Sequence, residues 1–129
     1  MNDGNDTRAY IGLGGNIGDR LAHLKVATIR IGTIPDVRIL KCSPVYESEP
    51  WGYADQATYL NAVVVIATSC APLDLFRQLK DIEREMGRSP SERNHPRIID
   101  LDILLFGPAV ISSDHLEIPH PRIDRKSVV

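Results

Sequence analysis

The stretch Ile98-Ile99-Asp100-Leu101-Asp102-Ile103-Leu104-Leu105-Phe106 is apolar at seven of its nine positions and too short for a helix of typical length, so a β-strand is predicted. Successive strand side chains point to opposite faces. Asp100 and Asp102 therefore share one face, and Ile99, Leu101, Ile103 and Leu105 occupy the other, where they can bury against helices. Two further segments have strand character. Tyr59 to Thr68 is rich in valine, and Val37 to Tyr46 is β-like, with Pro44 marking an edge or a bulge. Residues 9–14 read as a short strand running into a glycine-rich turn. Asp19 can N-cap a helix to about Ile31, with Leu21, Leu24, Thr28 and Ile31 on one stripe and Gly32 as its stop. Pro72 opens a second helix with the stripe Leu73, Phe76, Leu79, Ile82 and Met86, closed by Gly87. Residues 47–57 and 88–97 are loops by composition, a weaker strand is expected near Val110 and Ile111, and the remainder is irregular. The order β-α-β-β-α-β gives a ferredoxin-like α+β sandwich: an antiparallel sheet with both helices on one face. The other face is left for a ligand.

A chain of 129 residues fits one compact domain, residues 1–129. It is 43% hydrophobic and 25% charged, ordinary for a globular protein. A formal net charge of −2 argues against nucleic-acid or membrane-surface binding, which needs a basic excess. An anionic ligand must then be held by a local cluster of cations. Cys42 and Cys70 lack metal-type spacing and read as reduced and structural, which suits an intracellular compartment. Met1 to Arg8 contain no apolar signal region, and no apolar run approaches the ~20 residues of a membrane span. A cytoplasmic protein, monomeric, is expected.

The aspartate pair is the sharpest chemical feature. Two carboxylates ~7 Å apart along a strand repel each other, and half-buried they are costly unless a cation joins them. Oxygen-only ligation suits Mg²⁺, which completes its shell with waters and substrate phosphates. A solvated polar face, or aspartates paired with arginine, would produce the same D-x-D. The surroundings favour an anion: Arg84, Arg88, Arg93 and Arg97 precede the pair, and His120, Arg122, Arg125 and Lys126 follow it. Guanidinium forks and ammonium groups are what a polyphosphate needs, and phosphoryl chemistry is mostly positioning and charge neutralisation.

Tyr59 and Asn61 also share a strand face, continued by Val63 and Val65. An asparagine amide offers a donor and an acceptor, which can read the amide edge of a flat heterocycle. The adjacent loop carries Trp51 and Tyr53. The alternative is that Tyr59 packs in the core and Asn61 merely ends a strand. Gly12, Gly14, Gly15 and Gly18 invite a dinucleotide-binding reading, but a G-x-G-x-x-G from Gly12 needs glycine where Ile17 stands. They read instead as a tight strand-to-helix connection, with close approach of a ligand to the backbone as the lesser possibility.

Together these segments resemble the 6-hydroxymethyl-7,8-dihydropterin pyrophosphokinase family of folate biosynthesis. The likeness is carried by Tyr10-Ile-Gly-Leu-Gly-Gly-Asn-Ile-Gly-Asp-Arg20, Ser43-Pro-Val-Tyr-Glu-Ser-Glu-Pro-Trp-Gly52, Tyr59-Leu-Asn61, Pro96-Arg-Ile-Ile-Asp-Leu-Asp-Ile-Leu-Leu-Phe-Gly107 and Ile118-Pro-His-Pro-Arg122. The resemblance implies an ATP-dependent diphosphokinase with ATP and a dihydropterin as its partners. Asp100 and Asp102 would hold two Mg²⁺ ions, with Arg97 beside them in catalysis. Ser48, Trp51, Tyr59 and Asn61 would bind the pterin. Glu83 would face the nucleotide, Arg88, Arg97 and His120 would hold the triphosphate, and Lys126 would fill a further cationic position. Loops 47–57 and 88–97 would close over both substrates.

The departures are local. The family pattern R-W-G-P-R is Arg93-Asn94-His95-Pro96-Arg97 here, without the lid aromatic. Val128 stands where an aromatic that stacks on the pterin is expected, and the domain is expected to lack the family's usual C-terminal extension. A nucleotide-binding relative or truncated form with little or no activity is therefore a rival reading. A nicotinamide-dependent oxidoreductase would rest on the glycine turn alone. An RNA-binding module would need exposed aromatics on the inner strands and a basic face, and the sequence has neither.

Overall fold

The computed structural model describes residues 6–49, 58–87 and 98–121. Nine elements follow in chain order: β1 (Thr7–Gly15), α1 (Arg20–Gly32), β2 (Val37–Cys42), β3 (Tyr46–Ser48), β4 (Tyr59–Thr68), α2 (Pro72–Glu85), β5 (Asp100–Phe106), β6 (Ile111–Ser112) and β7 (Glu117–Ile118). The main sheet runs β2-β4-β1-β5, with β3 also on β4, and every pairing in it is antiparallel. β6 and β7 form a separate two-stranded ribbon. Two helices on an antiparallel sheet make this an α+β fold.

The core follows from alternation in three neighbouring strands, β4, β1 and β5. Register sets Ile11 opposite Val64 and Ile103, and Leu13 opposite Ala62 and Leu101, so one face of the sheet is continuously apolar. These residues form one buried cluster with Leu24, Ala27 and Ile31 of α1 and Leu75, Leu79 and Ile82 of α2. α1 starts as expected: the Asp19 carboxylate accepts from the Ala22 N–H at 3.1 Å and satisfies one orphan donor of the first turn.

Both expected helix stripes need correction. Leu21 and Leu73 are 44% and 43% exposed, and Leu75 rather than Leu73 begins the buried face of α2. Each three-residue step advances a helix by only about 300°. The expected α2 stripe takes three such steps in succession, from Leu73 to Ile82, and winds away from the core, whereas Leu75, Leu79 and Ile82 alternate steps of four and three and stay on it. In α1, Ala27 takes the buried place expected of Thr28. The segment 37–46 is also two strands, not one: pairing with β4 breaks around Pro44, and β3 resumes at Tyr46. β7 was not anticipated, and the ribbon begins at Ile111 rather than Val110, which is 83% exposed. Cys42 and Cys70 are free thiols. Cys42 is exposed, and Cys70 points its Sγ at the Pro35 carbonyl, 3.6 Å away. Among the described residues no helix is long and apolar enough to cross a membrane.

A register shift in β5 shapes the outer part of the sheet. Tyr10 pairs with Leu105 but Ile11 pairs with Ile103, so Leu104 is the extra residue of a bulge. Alternation in β5 therefore slips, burying Leu104 and Phe106 and leaving Leu105, expected in the core, half-buried. At the other end of the β1–β5 pair the backbones come very close: a Cβ on Gly15 would sit 2.4 Å from the Ile98 carbonyl oxygen. A carbonyl held in a strand entry cannot move aside as a side-chain tip can. Gly15→Ala is expected to lower stability by about 1–3 kcal/mol, the usual cost of overpacking, read as a lower urea midpoint at unchanged slope.

Candidate active site

The face of the sheet turned away from the core brings the sequence-predicted residues together in rows. Asn61 pairs with Gly14, and Gly14 with Asp100. One step along, Val63 pairs with Gly12, and Gly12 with Asp102. Asn61 and Asp100 thus lie two interstrand spacings apart, about 10 Å, with only hydrogen atoms on the residue between them. Asp100 and Asp102 are half-buried and share the face, while Leu101 between them is fully buried. The geometry expected of the aspartate pair is the geometry found.

Asn61 is held rather than loose. Its Nδ2 donates to Ser48 Oγ at 2.8 Å, and the Tyr46 and Tyr59 carbonyls each lie 3.4 Å away. Ser48 is paired with Tyr59 in the β3–β4 ladder, so Ser48, Tyr59 and Asn61 form one cluster at the mouth of β4. Arg20, the first residue of α1, braces this corner. Its Nη1 donates to the Thr58 carbonyl at 2.7 Å and to Thr58 Oγ1 at 3.0 Å, and its Nη2 lies 3.5 Å from Glu47 Oε2. Thr58 Oγ1 also donates to Glu47 Oε2 at 3.2 Å. The two chain segments that flank residues 50–57 are therefore tied to one guanidinium.

On the other side of Asp102 stands His120, with Nε2 3.7 Å from Asp102 Oδ1 and both side chains 18% exposed. The bulge explains the approach. The His120 N–H donates to the carbonyl of Leu104, the extra residue, at 3.0 Å. Beside this pair opens a depression of about 220 Å³ lined by Phe76, Ile103 and Leu116 and by Ser113, Asp114, His115 and Glu117. The sequence reading missed it, because its walls come from α2, β5 and the β6–β7 ribbon, segments far apart in the chain.

Glu83 departs from expectation. It does not face a ligand surface: it is 1% exposed, and its Oε2 accepts from the Leu101 N–H at 2.7 Å and from Lys80 Nζ at 2.9 Å. The signal was present in the sequence, since Glu83 falls four residues after Leu79 and eight after Leu75, on the buried stripe. Arg84, counted among the flanking cations, is ion-paired with Asp81 on the same helix. Trp51, Arg88, Arg97 and Lys126 lie outside the described residues, as do Arg93, Arg122 and Arg125.

A metal at the aspartates needs further ligands. Among the described residues, no group of three or more His, Cys, Asp or Glu converges as a metal site. Two carboxylates on an open face do fit Mg²⁺, which keeps several waters and shares substrate phosphates. Fold and site together define a small α+β domain that presents an amide and a carboxylate pair on one face of its sheet. Residues 10–129 match the family described as 7,8-dihydro-6-hydroxymethylpterin-pyrophosphokinase (HPPK). The chain is 45% identical over 115 residues to the 2-amino-4-hydroxy-6-hydroxymethyldihydropteridine pyrophosphokinase of Bacillus subtilis (strain 168), covering 89% of this chain and 69% of that protein. It is 39% identical over 123 residues to the enzyme of the same name from Methylorubrum extorquens, covering 95% and 78%. Similarity extends to the folic acid synthesis protein fol1 of Schizosaccharomyces pombe, 40% identical over 121 residues, covering 94% of this chain and 16% of that protein. The chain belongs to the HPPK family, whose members are pyrophosphokinases of folate biosynthesis.

The row Asn61–Gly14–Asp100 makes a direct prediction. A Cβ on Gly14 would meet Asn61 Oδ1 at 2.9 Å, the movable end of a side chain. Gly14→Ala is therefore expected to displace the Asn61 amide at little cost in stability. Calorimetric titration should show pterin affinity falling by about 10-fold, one hydrogen bond's worth, while the melting temperature stays nearly unchanged.

Proposed function

We propose that the outer sheet face is where this pyrophosphokinase joins its two substrates, 6-hydroxymethyl-7,8-dihydropterin and ATP. The supporting observation is the row from Asn61 across Gly14 to Asp100. A flat bicyclic ring whose amide edge meets Asn61 spans a comparable length over the bare backbone at Gly14, and this directs its hydroxymethyl group toward Asp100. Ser48 orients the Asn61 amide, and Tyr59 walls the same end, with Trp51 proposed as a further wall. The strand order β2-β4-β1-β5 with two intervening helices supports the ferredoxin-like form of the α+β fold.

ATP is assigned to the other side of Asp102. Phe76, Ile103 and Leu116 offer an apolar seat for the adenine ring. Asp114 and Glu117 on the rim accept from hydroxyl or amine groups and repel phosphate, so the triphosphate belongs at the Asp102–His120 end. Arg88, Arg97, His120 and Lys126 are the cations proposed to hold it. Two Mg²⁺ ions held by Asp100 and Asp102 would neutralise phosphate charge and draw the polyphosphate against the alcohol. The hydroxymethyl oxygen forms a bond to the β-phosphorus, the bond from that phosphorus to the α,β-bridging oxygen breaks, AMP leaves, and the hydroxyl proton passes to solvent. The chain's part is to align the two substrates and to keep water from the β-phosphorus.

The two halves of the site separate experimentally. Asp102→Ala is expected to reduce AMP formation by about 10²–10³-fold, as for loss of a charge-stabilising group, with a normal folded spectrum. Unchanged turnover in a folded Asp102→Ala variant overturns the role given to the aspartates. Asn61→Ala is expected to weaken pterin binding by about 10–100-fold, the penalty for a lost polar partner, while affinity for a non-hydrolysable ATP analogue stays within about twofold. Equal losses in both affinities would point to a folding defect instead.

A further inference from the structure

Among the described residues β5 is the terminal strand of the main sheet and pairs with β1 along one edge. At the level of Leu101 the outer edge is occupied by side chains of α2. Glu83 Oε2 accepts from the Leu101 N–H at 2.7 Å, and Lys80 Nζ donates to the Leu101 carbonyl at 3.0 Å. The two side chains are themselves joined, Nζ to Oε2, at 2.9 Å. The Leu101 N–H belongs to the peptide plane that follows Asp100, and the Leu101 carbonyl to the plane that precedes Asp102. Each aspartate thus has one of its flanking peptide planes fixed from α2.

This arrangement is poorly explained by stability alone. The Glu83 side chain is wholly buried and Lys80 is 22% exposed. A buried ion pair is often no more stabilising than apolar residues of the same volume. Lys80 also lies 5.4 Å from the centre of the Phe76 ring, which limits where its ammonium group can go. The pair does what an apolar pair would not: it supplies a fixed acceptor and a fixed donor at the one residue between the carboxylates.

We infer that Lys80 and Glu83 are positioning residues for the divalent-cation site: they clamp Leu101 so that Asp100 and Asp102 keep the spacing and direction that two cations on a polyphosphate require. This rests on the metal role proposed for the aspartates. The clamp acts on the strand and touches no substrate.

The test uses the full chain and Mn²⁺ as the probe, with a non-hydrolysable ATP analogue, followed by electron paramagnetic resonance, alongside amide exchange at Leu101. Glu83→Ala should speed Leu101 exchange by at least about 10-fold and weaken Mn²⁺ binding by about 10–100-fold, the range for supports of a metal ligand. Glu83→Gln keeps an acceptor for the Leu101 N–H and should recover most of that loss. Lys80→Met should give a smaller decrease. Leu24→Ala, on α1, serves as a control: it should lower stability at least as much while leaving Mn²⁺ affinity within about twofold, a separation that a merely structural role for Glu83 would not produce. If Glu83→Ala does not fold, Lys80→Met still decides the matter. Glu83→Ala or Lys80→Met variants that fold and bind Mn²⁺ as tightly as the wild type overturn the positioning role alone. A wild-type chain that binds no Mn²⁺ overturns the metal reading of the aspartates and the clamp with it.

Discussion

Burial of Leu101 governs the site. Its side chain is fully buried in the core, so the side chains of Asp100 and Asp102 must emerge on the opposite face. A slip of one residue would bury two carboxylates and expose two leucines or isoleucines, and every such exchange is unfavourable. The apolar side of β5 therefore fixes the direction of the chemistry on its polar side. This demands that β5 keep its register although, among the described residues, it has a strand neighbour on one edge only. The hydrogen bonds from α2 to the Leu101 peptide groups meet that demand where it is greatest.

The same logic explains why β1, the central strand, carries glycine at Gly12 and Gly14. Both residues point toward the ligand face, while Ile11 and Leu13 point into the core. A side chain at Gly14 would stand between Asn61 and Asp100, whereas Gly12 makes room for the Leu104 side chain, which a Cβ there would meet at 3.2 Å. The bare backbone at Gly14 is flanked by the Asn61 amide on β4 and the Asp100 carboxylate on β5. Arg20 completes the arrangement from the helix side by drawing Glu47 and Thr58 to one point. The corner that orients Asn61 is thereby built from α1, β3 and β4 together.

The strand pattern was legible because it depends on local alternation. Tyr59–Thr68 has the boundaries expected from its valines, and the side chains of Asp100 and Asp102 share a face as the D-x-D spacing requires. Ser48 and Asn61, named separately from the family resemblance, are joined by a 2.8 Å hydrogen bond that the sequence alone did not indicate. What escaped the sequence depends on pairing between distant segments. The bulge at Leu104 is invisible in a run of apolar residues, yet it exchanges Leu105 for Phe106 in the core and frees a carbonyl for His120. Helix phase was misjudged where apolar residues recur every three positions, as from Leu73 to Ile82. The resemblance set Glu83 facing the nucleotide; its place on the buried stripe of α2 was legible, but its partner, the strand-edge N–H of Leu101, is a tertiary fact.

His120 shows how a small irregularity becomes part of a site. In an uninterrupted ladder, consecutive carbonyls of β5 would alternate between β1 and the outer edge. The extra residue interrupts that alternation and leaves the Leu104 carbonyl to accept from the His120 N–H, 3.0 Å away. Once the His120 backbone is docked there, its ring has Asp102 within 3.7 Å, and the chain leading to it lines the depression beside that carboxylate. Neither aspartate nor histidine could arrange this approach alone, because the attraction of two partly exposed side chains is too weak to order a ribbon. Backbone pairing at the bulge supplies the order, and the electrostatic contact follows from it. A regular β5 would leave the ribbon its buried Leu116 and Ile118 but would remove the backbone hydrogen bond that sets His120 beside Asp102.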